Sequence, residues 1–138
     1  MKIENLKVDK QYLDDNPHCV FVYGDNLIHK GHGGAAYLRD HPRAVGFVTK
    51  KYPDNRDSSF YKPEEYEQIF WACVKELKNR IARSPNTTFL ISKLGAGLAN
   101  RYGIWESIIK PNLANELVMF DNVVLLWDGP TCYGGVSY

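Results

Sequence analysis

The chain has 138 residues, 44% of them hydrophobic, which is the length of one domain with enough apolar side chains to form a core. The formal net charge of +1 argues against binding to duplex DNA or to an anionic membrane surface, which calls for a strong positive excess. The N-terminus has no signal-peptide core, no apolar stretch reaches the ~20 residues of a membrane helix, and the three cysteines form no CxxC pair. We therefore expect a reduced, cytoplasmic protein without a membrane partner, disulfides or a zinc site.

The first half of the chain predicts two strands on either side of a glycine-rich turn. Residues 19–23 are apolar, β-branched or aromatic, and they indicate a buried strand. The glycine-rich turn follows, and residues 34–40 are expected to begin a helix. Residues 44–50 predict the second strand, and the Asp, Asn, Ser and Pro content of residues 51–62 predicts a loop.

The second half of the chain contains the clearest helix, residues 62–83. Pro63 and two glutamates suit its first turn, and apolar residues recur at steps of three and four along it. The next helix contains Pro111, which should kink or divide it. The remaining elements are a strand at 87–92, a second glycine turn at 93–100, that helix at 102–117 and a buried strand at 122–128.

The alternation of strands and helices favours an α/β fold, in one domain spanning residues 1–138, with a mostly parallel sheet between helices. In such sheets ligands bind beyond the carboxyl ends of the strands. Both glycine turns follow predicted strands, since Gly31–Gly34 comes after the strand at 19–23 and Gly95–Gly97 after the strand at 87–92. If these two strands are neighbours, the turns face each other across one crevice.

The glycine turns suit the binding of phosphate groups. Glycine removes the side chain that would keep a phosphate away from backbone N–H groups, and it permits a positive φ. A helix that follows such a turn would add its N-terminal partial charge. Neither turn matches a P-loop or a GxGxxG fingerprint. Two hypotheses therefore stay open, a pair of loops that clamps a diphosphate and two ordinary tight turns.

The motifs also carry a resemblance to a known family. In chain order they are GDNLIHKGHGGAAYLRD, AVGFVTKKYP, YKPEEYEQIFWACVKEL and FLISKLGAGLANRYGIWESI, with NVVLLW as the closing strand. Together they resemble a macro domain, in particular the divergent branch that includes the terminal ADP-ribose protein glycohydrolases. The resemblance implies a three-layer α/β/α fold, with a mostly parallel mixed sheet, that binds ADP-ribose in a crevice.

Two candidate catalytic residues, Lys50 and Asn100, come from this resemblance. Lys50, or its neighbour Lys51, matches a lysine that attacks the ribose C1″ in that branch, and Lys51 is also a second cation able to lower the pKa of Lys50. Where the branch has an acid/base aspartate after GxGL, this chain has an Ala-Asn pair ending at Asn100. Because an amide cannot take up a proton at neutral pH, Asp54 and Asp57 are the nearby carboxylates that would replace it.

The other candidate residues would contact the ligand. Each glycine loop would cradle one phosphate, the polar pair after the first strand would lie near the sugar or base, and a histidine of the first turn would touch the ligand. The polar pair would alternatively cap the turn through its side chains. The candidate binding residues are Asp25, Asn26, Gly31, His32, Gly33, Gly34, Ala35, Lys51, Gly95, Ala96, Gly97 and Leu98.

Three functions stay open from the sequence. The first is binding of ADP-ribose or of an ADP-ribosylated macromolecule, with hydrolysis of ADP-ribosyl linkages or of ADP-ribose-1″-phosphate. The second is a non-catalytic interaction module of the same fold. The third is binding of single-stranded nucleic acid by loop tyrosines, which the near-neutral charge disfavours. We expect a monomer without a cofactor, and the spacing of His29 and His32 makes a poor metal site.

Overall fold

A five-stranded parallel sheet forms the centre of the fold in the computed structural model, which describes residues 1–127. The strand order is β1-β5-β4-β2-β3, and every pair of neighbouring strands is parallel. The predicted α/β class with a parallel sheet is thus confirmed. The strands are β1 (Lys2–Ile3), β2 (Cys19–Asn26), β3 (Ala44–Lys50), β4 (Thr88–Ile91) and β5 (Val123–Leu125).

Two hydrophobic clusters cover the two faces of the sheet. One face packs against α2 (Pro63–Arg83) and α3 (Lys110–Leu117) and contains the larger cluster. The other face packs against α1 (Lys10–Asp15) and the segment after the first glycine turn. Alternate residues of a strand therefore enter different clusters, as Phe21 and Val22 do.

Helix α2 has the bounds and the apolar stripe that the sequence predicts. Its N-terminus is fixed by the Glu65 carboxylate, which accepts a hydrogen bond from the N–H of Lys62 at 3.1 Å. The Tyr66 hydroxyl donates to the carbonyl of Val48 in β3 at 2.6 Å, which joins the helix to the edge of the sheet. The residues buried along the stripe are Tyr66, Phe70, Val74, Leu77 and Ile81.

The helical segment around Pro111 is divided, as predicted. Residues Trp105–Ile109 form a π-helical turn, and the N–H of Lys110 bonds to the carbonyl of Trp105 five residues earlier. The α-helix α3 begins directly afterwards, with Pro111 in its first turn, where a missing N–H is tolerated. The wider turn accommodates the proline ring without ending the helix.

Several local expectations differ from the structure. The strand predicted at 19–23 continues to Asn26, so the polar pair after it belongs to β2. The helix expected at 34–40 is a single 3-10 turn, Gly34–Ala36, because Gly34 has a φ of +55°, outside the right-handed helical region. The sequence analysis did not predict β1 or α1, and the end of the strand predicted at 122–128 lies outside the described residues. No helix in the described part is long and apolar enough to cross a membrane.

Candidate functional site

The two glycine turns lie at one cavity. Strands β2 and β4 are paired neighbours, and parallel pairing places their carboxyl ends, and the loops that follow, at the same edge of the sheet. The cavity between the loops has a volume of about 460 Å³, in the range of small-molecule sites. Its lining includes Gly31, Gly33, Gly34 and Ala35 from the first loop and Gly95, Gly97 and Leu98 from the second.

The fold requires glycine at some positions of these loops and not at others. Gly31, Gly34 and Gly95 have φ values of +96°, +55° and +76°, which other residues rarely adopt. At Gly95 a Cβ would also lie 2.5 Å from Ile109 Cδ1. In contrast, Gly33 has ordinary extended angles, φ −77° and ψ 156°, and a Cβ there would meet no atom within 4 Å. Neither backbone geometry nor internal packing therefore accounts for the absence of a side chain at Gly33.

Backbone donors are available on both sides of the cavity. Within residues 1–127, the N–H groups of Gly33 and Gly34 and those of Gly97 and Leu98 donate no hydrogen bond. Amides that lack an internal partner gain most from an anion, because each unsatisfied donor that loses water costs free energy. The backbone N–H groups of each loop can therefore donate hydrogen bonds to a phosphate group.

Cations outnumber carboxylates around the cavity. Lys30, Arg39, Lys50 and Lys93 contribute to its lining, whereas Asp25 is the one carboxylate among the described lining residues. A protein with a net charge of +1 thus concentrates positive charge at this edge of the sheet. The local surplus favours an anionic ligand.

The first glycine loop is held by a buried ion pair. Arg39 Nη1 lies 2.6 Å from Asp25 Oδ1, and the two side chains are 10% and 3% exposed. The same guanidinium donates to the carbonyls of Gly31 at 2.6 Å and Lys30 at 3.2 Å. It also lies over the ring of Tyr23, 5.4 Å from the centroid. One arginine therefore connects the end of β2 to two successive peptides of the loop.

The carboxylate of Asp25 needs space that its neighbour on β3 provides. A Cβ on Gly46 would lie 2.4 Å from Asp25 Oδ2. That oxygen also contacts His29 Nδ1 at 2.6 Å, and Asp25 Oδ1 accepts the N–H of Asn26 at 2.8 Å. The carboxylate, which the sequence analysis assigned to the ligand, is thus fully engaged within the protein.

Asn26 has a similar structural role. Its Oδ1 accepts the N–H of Ile28 at 3.2 Å, and its Nδ2 donates to the carbonyl of Lys30 at 2.8 Å. These bonds shape the turn that leads into the glycine loop. Both members of the predicted polar pair line the cavity, and their hydrogen bonds correspond to the capping alternative.

Lys50 lies at the cavity in an unusual environment. Its Nζ donates to the carbonyl of Asp54 at 2.9 Å and lies 4.6 Å from the centroid of the Phe60 ring. Arg101 contacts the same ring, with its guanidinium carbon 4.0 Å from the centroid. Burial lowers the pKa of the Lys50 amine; the Asp54 carboxylate opposes this shift, and the Arg101 charge adds to it. The second cation is therefore Arg101 and not Lys51.

Four predicted site residues lie outside the cavity lining. Lys51 pairs with Glu65 at 2.8 Å on helix α2. His32 contacts the exposed carboxylate of Asp40 at 2.8 Å. The N–H of Ala96 bonds to the carbonyl of Lys93 at 3.2 Å inside the turn, and its side chain packs against the larger core cluster.

Asn100, the fourth of these residues, caps the helical segment that begins near Trp105. Its Oδ1 accepts the N–H of Trp105 at 2.9 Å, and its Nδ2 donates to both oxygens of Glu106 at 2.9 Å. Every polar atom of the side chain is thereby occupied away from the cavity. The geometry offers no catalytic contact for Asn100.

The two carboxylates of the 51–62 loop are also engaged. Asp54 accepts from the Arg56 side chain at 2.8 Å and from the Ser59 hydroxyl, and these bonds hold its pKa well below the usual range. Asp57 pairs with Arg101 at 2.6 Å. A carboxyl group of such low pKa stays ionised at neutral pH, so Asp54 is unsuited to act as a general acid.

Several cavity residues were not predicted from the sequence, and Arg39, Lys93 and Thr49 are among them. Arg39 follows the first loop by a few residues and forms an ion pair with the buried Asp25. Lys93 is the second residue after β4, and its position near the carboxyl end of a strand would have indicated a place at the cavity. Thr49 is 3% exposed near the end of β3, and nothing in its sequence context distinguishes it from a core threonine.

A second cavity adjoins the first. It has a volume of about 310 Å³, and it shares Ala35 and Lys93 with the first cavity. Its lining is mixed, with apolar residues such as Leu6 and Leu126 beside polar residues such as Asn5 and Ser92. The cationic side chains of the first cavity therefore lie next to a second space of mixed polarity.

Comparisons with known proteins give one match. A model described as a family of unknown function (DUF7831) matches residues 3–100, which include both glycine loops. Neither curated proteins nor solved structures gave a match.

We predict that Gly46→Ala lowers the free energy of unfolding by about 1–3 kcal/mol, because the new methyl group would overlap the buried Asp25 carboxylate. Urea denaturation monitored by circular dichroism measures the change. Gly33→Ala is the matched control, with an expected change within about 0.5 kcal/mol, because a Cβ there meets open space. Equal effects of the two substitutions would contradict this packing.

We predict that Asn100→Ala removes the cap near Trp105 and lowers the free energy of unfolding by about 0.5–2 kcal/mol. Urea denaturation monitored by circular dichroism measures the change. Unchanged stability in this variant would contradict the capping role of Asn100.

Proposed function

We propose that this chain, which belongs to the DUF7831 family, binds ADP-ribose or a closely related nucleotide between its two glycine loops. The observation that carries the proposal is a single cavity lined by glycines of both loops and by a surplus of cations. A diphosphate presents two anionic groups to two opposed sets of amides. Glycines let the phosphates approach the backbone closely, and the lysines supply countercharge.

The adjoining cavities support a nucleotide over a simple phosphate. The second cavity is lined by the exposed side chain of Tyr37 and by Leu6 and Leu126, which suit contact with a planar base. The first cavity then holds the diphosphate, and Lys93, which lines both, lies where the two parts of the ligand meet. The size of each cavity is within the range of cofactor sites.

The same features support the proposal that the fold is a divergent macro domain. Helices on both sides of the sheet, with two glycine loops after neighbouring strands, support this proposal. The resemblance also implies a mixed sheet, whereas every strand pair of the sheet within residues 1–127 is parallel. The glycine loops occupy the positions that the resemblance assigns to phosphate binding. Lys51, Asn100 and the missing aspartate are points of difference, so binding is better supported than catalysis.

Calorimetry with ADP-ribose, ADP, NAD and ADP-ribose-1″-phosphate tests the binding proposal. We expect saturable binding of ADP-ribose and at least a tenfold loss of affinity, about 1.4 kcal/mol, in Gly33→Val, because the branched side chain would occupy the path of the phosphate. The thermal midpoint of this variant should match that of the wild type, since the backbone angles at Gly33 suit valine.

Other outcomes assign the cavity differently. If none of the four nucleotides binds and none shifts the thermal midpoint, the chain is a module that uses this fold without a nucleotide. Salt-dependent retardation of single-stranded oligonucleotides together with absent ADP-ribose binding would favour a nucleic-acid site.

One observation favours hydrolysis as a second candidate function. Lys50 lines the cavity, and burial lowers the pKa of its amine, as a lysine nucleophile requires. In this candidate reaction the amine lone pair forms a bond to the ribose C1″ while the bond to the modified group breaks. Water later releases the ribose from the lysine. The described cavity residues contain no carboxylate free of an ion pair to assist these steps.

We predict that any hydrolysis of an ADP-ribosylated protein by this chain rises with pH as Lys50 loses its proton. The sign follows because only the neutral amine is nucleophilic, and its lowered pKa moves this rise below that of an ordinary lysine. Lys50→Gln should abolish turnover and weaken binding only by the loss of one countercharge, whereas Lys51→Gln is the matched control with normal turnover. Normal turnover in Lys50→Gln would remove Lys50 from the reaction.

A further inference from the structure

We infer that Arg39 is the positioning residue of the first glycine loop: it occupies the loop carbonyls so that the amides face the ligand's phosphate. The inference rests on the proposed function for its ligand, and on the geometry of the loop for everything else. Arg39 is nearly buried beside the cavity, with 10% of its side chain exposed.

The hydrogen bonds of Arg39 run from its guanidinium to carbonyl oxygens of the loop. Nε of Arg39 donates to the carbonyl of Gly31, and Nη2 donates to the carbonyl of Lys30. A carbonyl oxygen that faced a phosphate would repel it, so tying two successive oxygens to a cation removes that repulsion. The positive φ of Gly31 is what lets these adjacent carbonyls reach the same guanidinium.

The charge of Arg39 is balanced by that of Asp25. Asp25 lies 2.6 Å from Arg39 and shares its burial, so the pair adds no net charge to the cavity. The countercharge for an anion then comes from cavity lysines such as Lys30 and Lys50. Arg39 consequently contributes through the shape of the loop and not as a direct partner of the phosphate.

The bridge between Asp25 and the loop requires several donors in fixed directions, which arginine has and lysine lacks. The rigid guanidinium directs donors to Gly31, Lys30 and Asp25 at once, whereas the ammonium of lysine is a compact charge on a flexible chain. Arg39→Lys keeps the charge and loses the bridge. A residue that acts only as countercharge would tolerate this substitution.

Two substitutions separate positioning from charge. Arg39→Lys should lower the affinity for ADP-ribose and for inorganic pyrophosphate by roughly tenfold or more, because the loop amides lose their alignment. Calorimetry measures both affinities. Asp25→Asn raises the net charge at the cavity by one and should nevertheless lower the affinity for both probes. Wild-type affinity in Arg39→Lys, or tighter binding in Asp25→Asn, would overturn the inference.

Arg43 supplies the matched control. It also donates to backbone carbonyls, those of Asn16 at 3.1 Å and Cys19 at 2.6 Å, but it lies near the amino ends of β2 and β3 and does not line the cavity. Arg43→Lys should lower thermal stability and leave the affinity for both probes unchanged. Equal affinity losses in Arg39→Lys and Arg43→Lys would show a general loss of stability and overturn the positioning role.

Hydrogen–deuterium exchange of the unliganded protein gives a readout that needs no ligand. In Arg39→Lys, exchange should rise in residues 30–34 and stay unchanged in helix α2, while Arg43→Lys should leave residues 30–34 unaffected. If the wild type binds neither probe, the proposed function fails, and exchange alone judges the inference. Unchanged exchange at 30–34 in Arg39→Lys would then overturn it.

Discussion

The buried ion pair between Asp25 and Arg39 is the interaction on which the arrangement of the site depends. Two charges at 3% and 10% exposure are costly to remove from water unless each finds partners. Here the carboxylate has a guanidinium, an imidazole and a backbone N–H, and the guanidinium has two loop carbonyls. The loop conformation is thereby coupled to the satisfaction of these charges, since moving the loop would leave them unpaired.

The parallel sheet turns this local interaction into a site. Because β2 and β4 pair in parallel, the loops after them lie side by side although they are far apart in sequence. Gly34 and Leu98 come close enough that a Cβ on the glycine would lie 3.7 Å from Leu98 Cδ1. The glycine at 46, on the neighbouring strand, leaves the space in which the Asp25 carboxylate lies. Glycines therefore serve both the protein interior and the cavity surface.

Much of the fold follows from patterns that the sequence displays locally. The β-branched segments of β2, β3 and β4 and the apolar stripe of α2 are periodic enough to place these elements, and the glycine turns are evident by composition. The carboxyl-edge rule then predicts that both turns lie at one crevice. β1, of only two residues, and α1, of six, are too short for a periodic signal.

The roles of individual polar residues could not be read in the same way. Whether Asp25 faces a ligand or an arginine depends on the position of Arg39, fourteen residues later, which only the folded chain fixes. Adjacent lysines at 50 and 51 diverge, one toward the cavity and one toward Glu65. Asn100 follows a glycine loop as a catalytic residue would, yet its hydrogen bonds cap the next helical segment. Spacing along the chain does not report these orientations.

The most direct test of the account is a nuclear magnetic resonance titration of the ¹⁵N-labelled protein with ADP-ribose. The central claim is that main-chain amides of both loops hold the ligand. We expect saturable shifts that are largest at the amides of Gly33, Gly34, Gly97 and Leu98 and that share one dissociation constant. Shifts confined to one loop, or saturable binding that leaves all four amides unmoved, would contradict the claim.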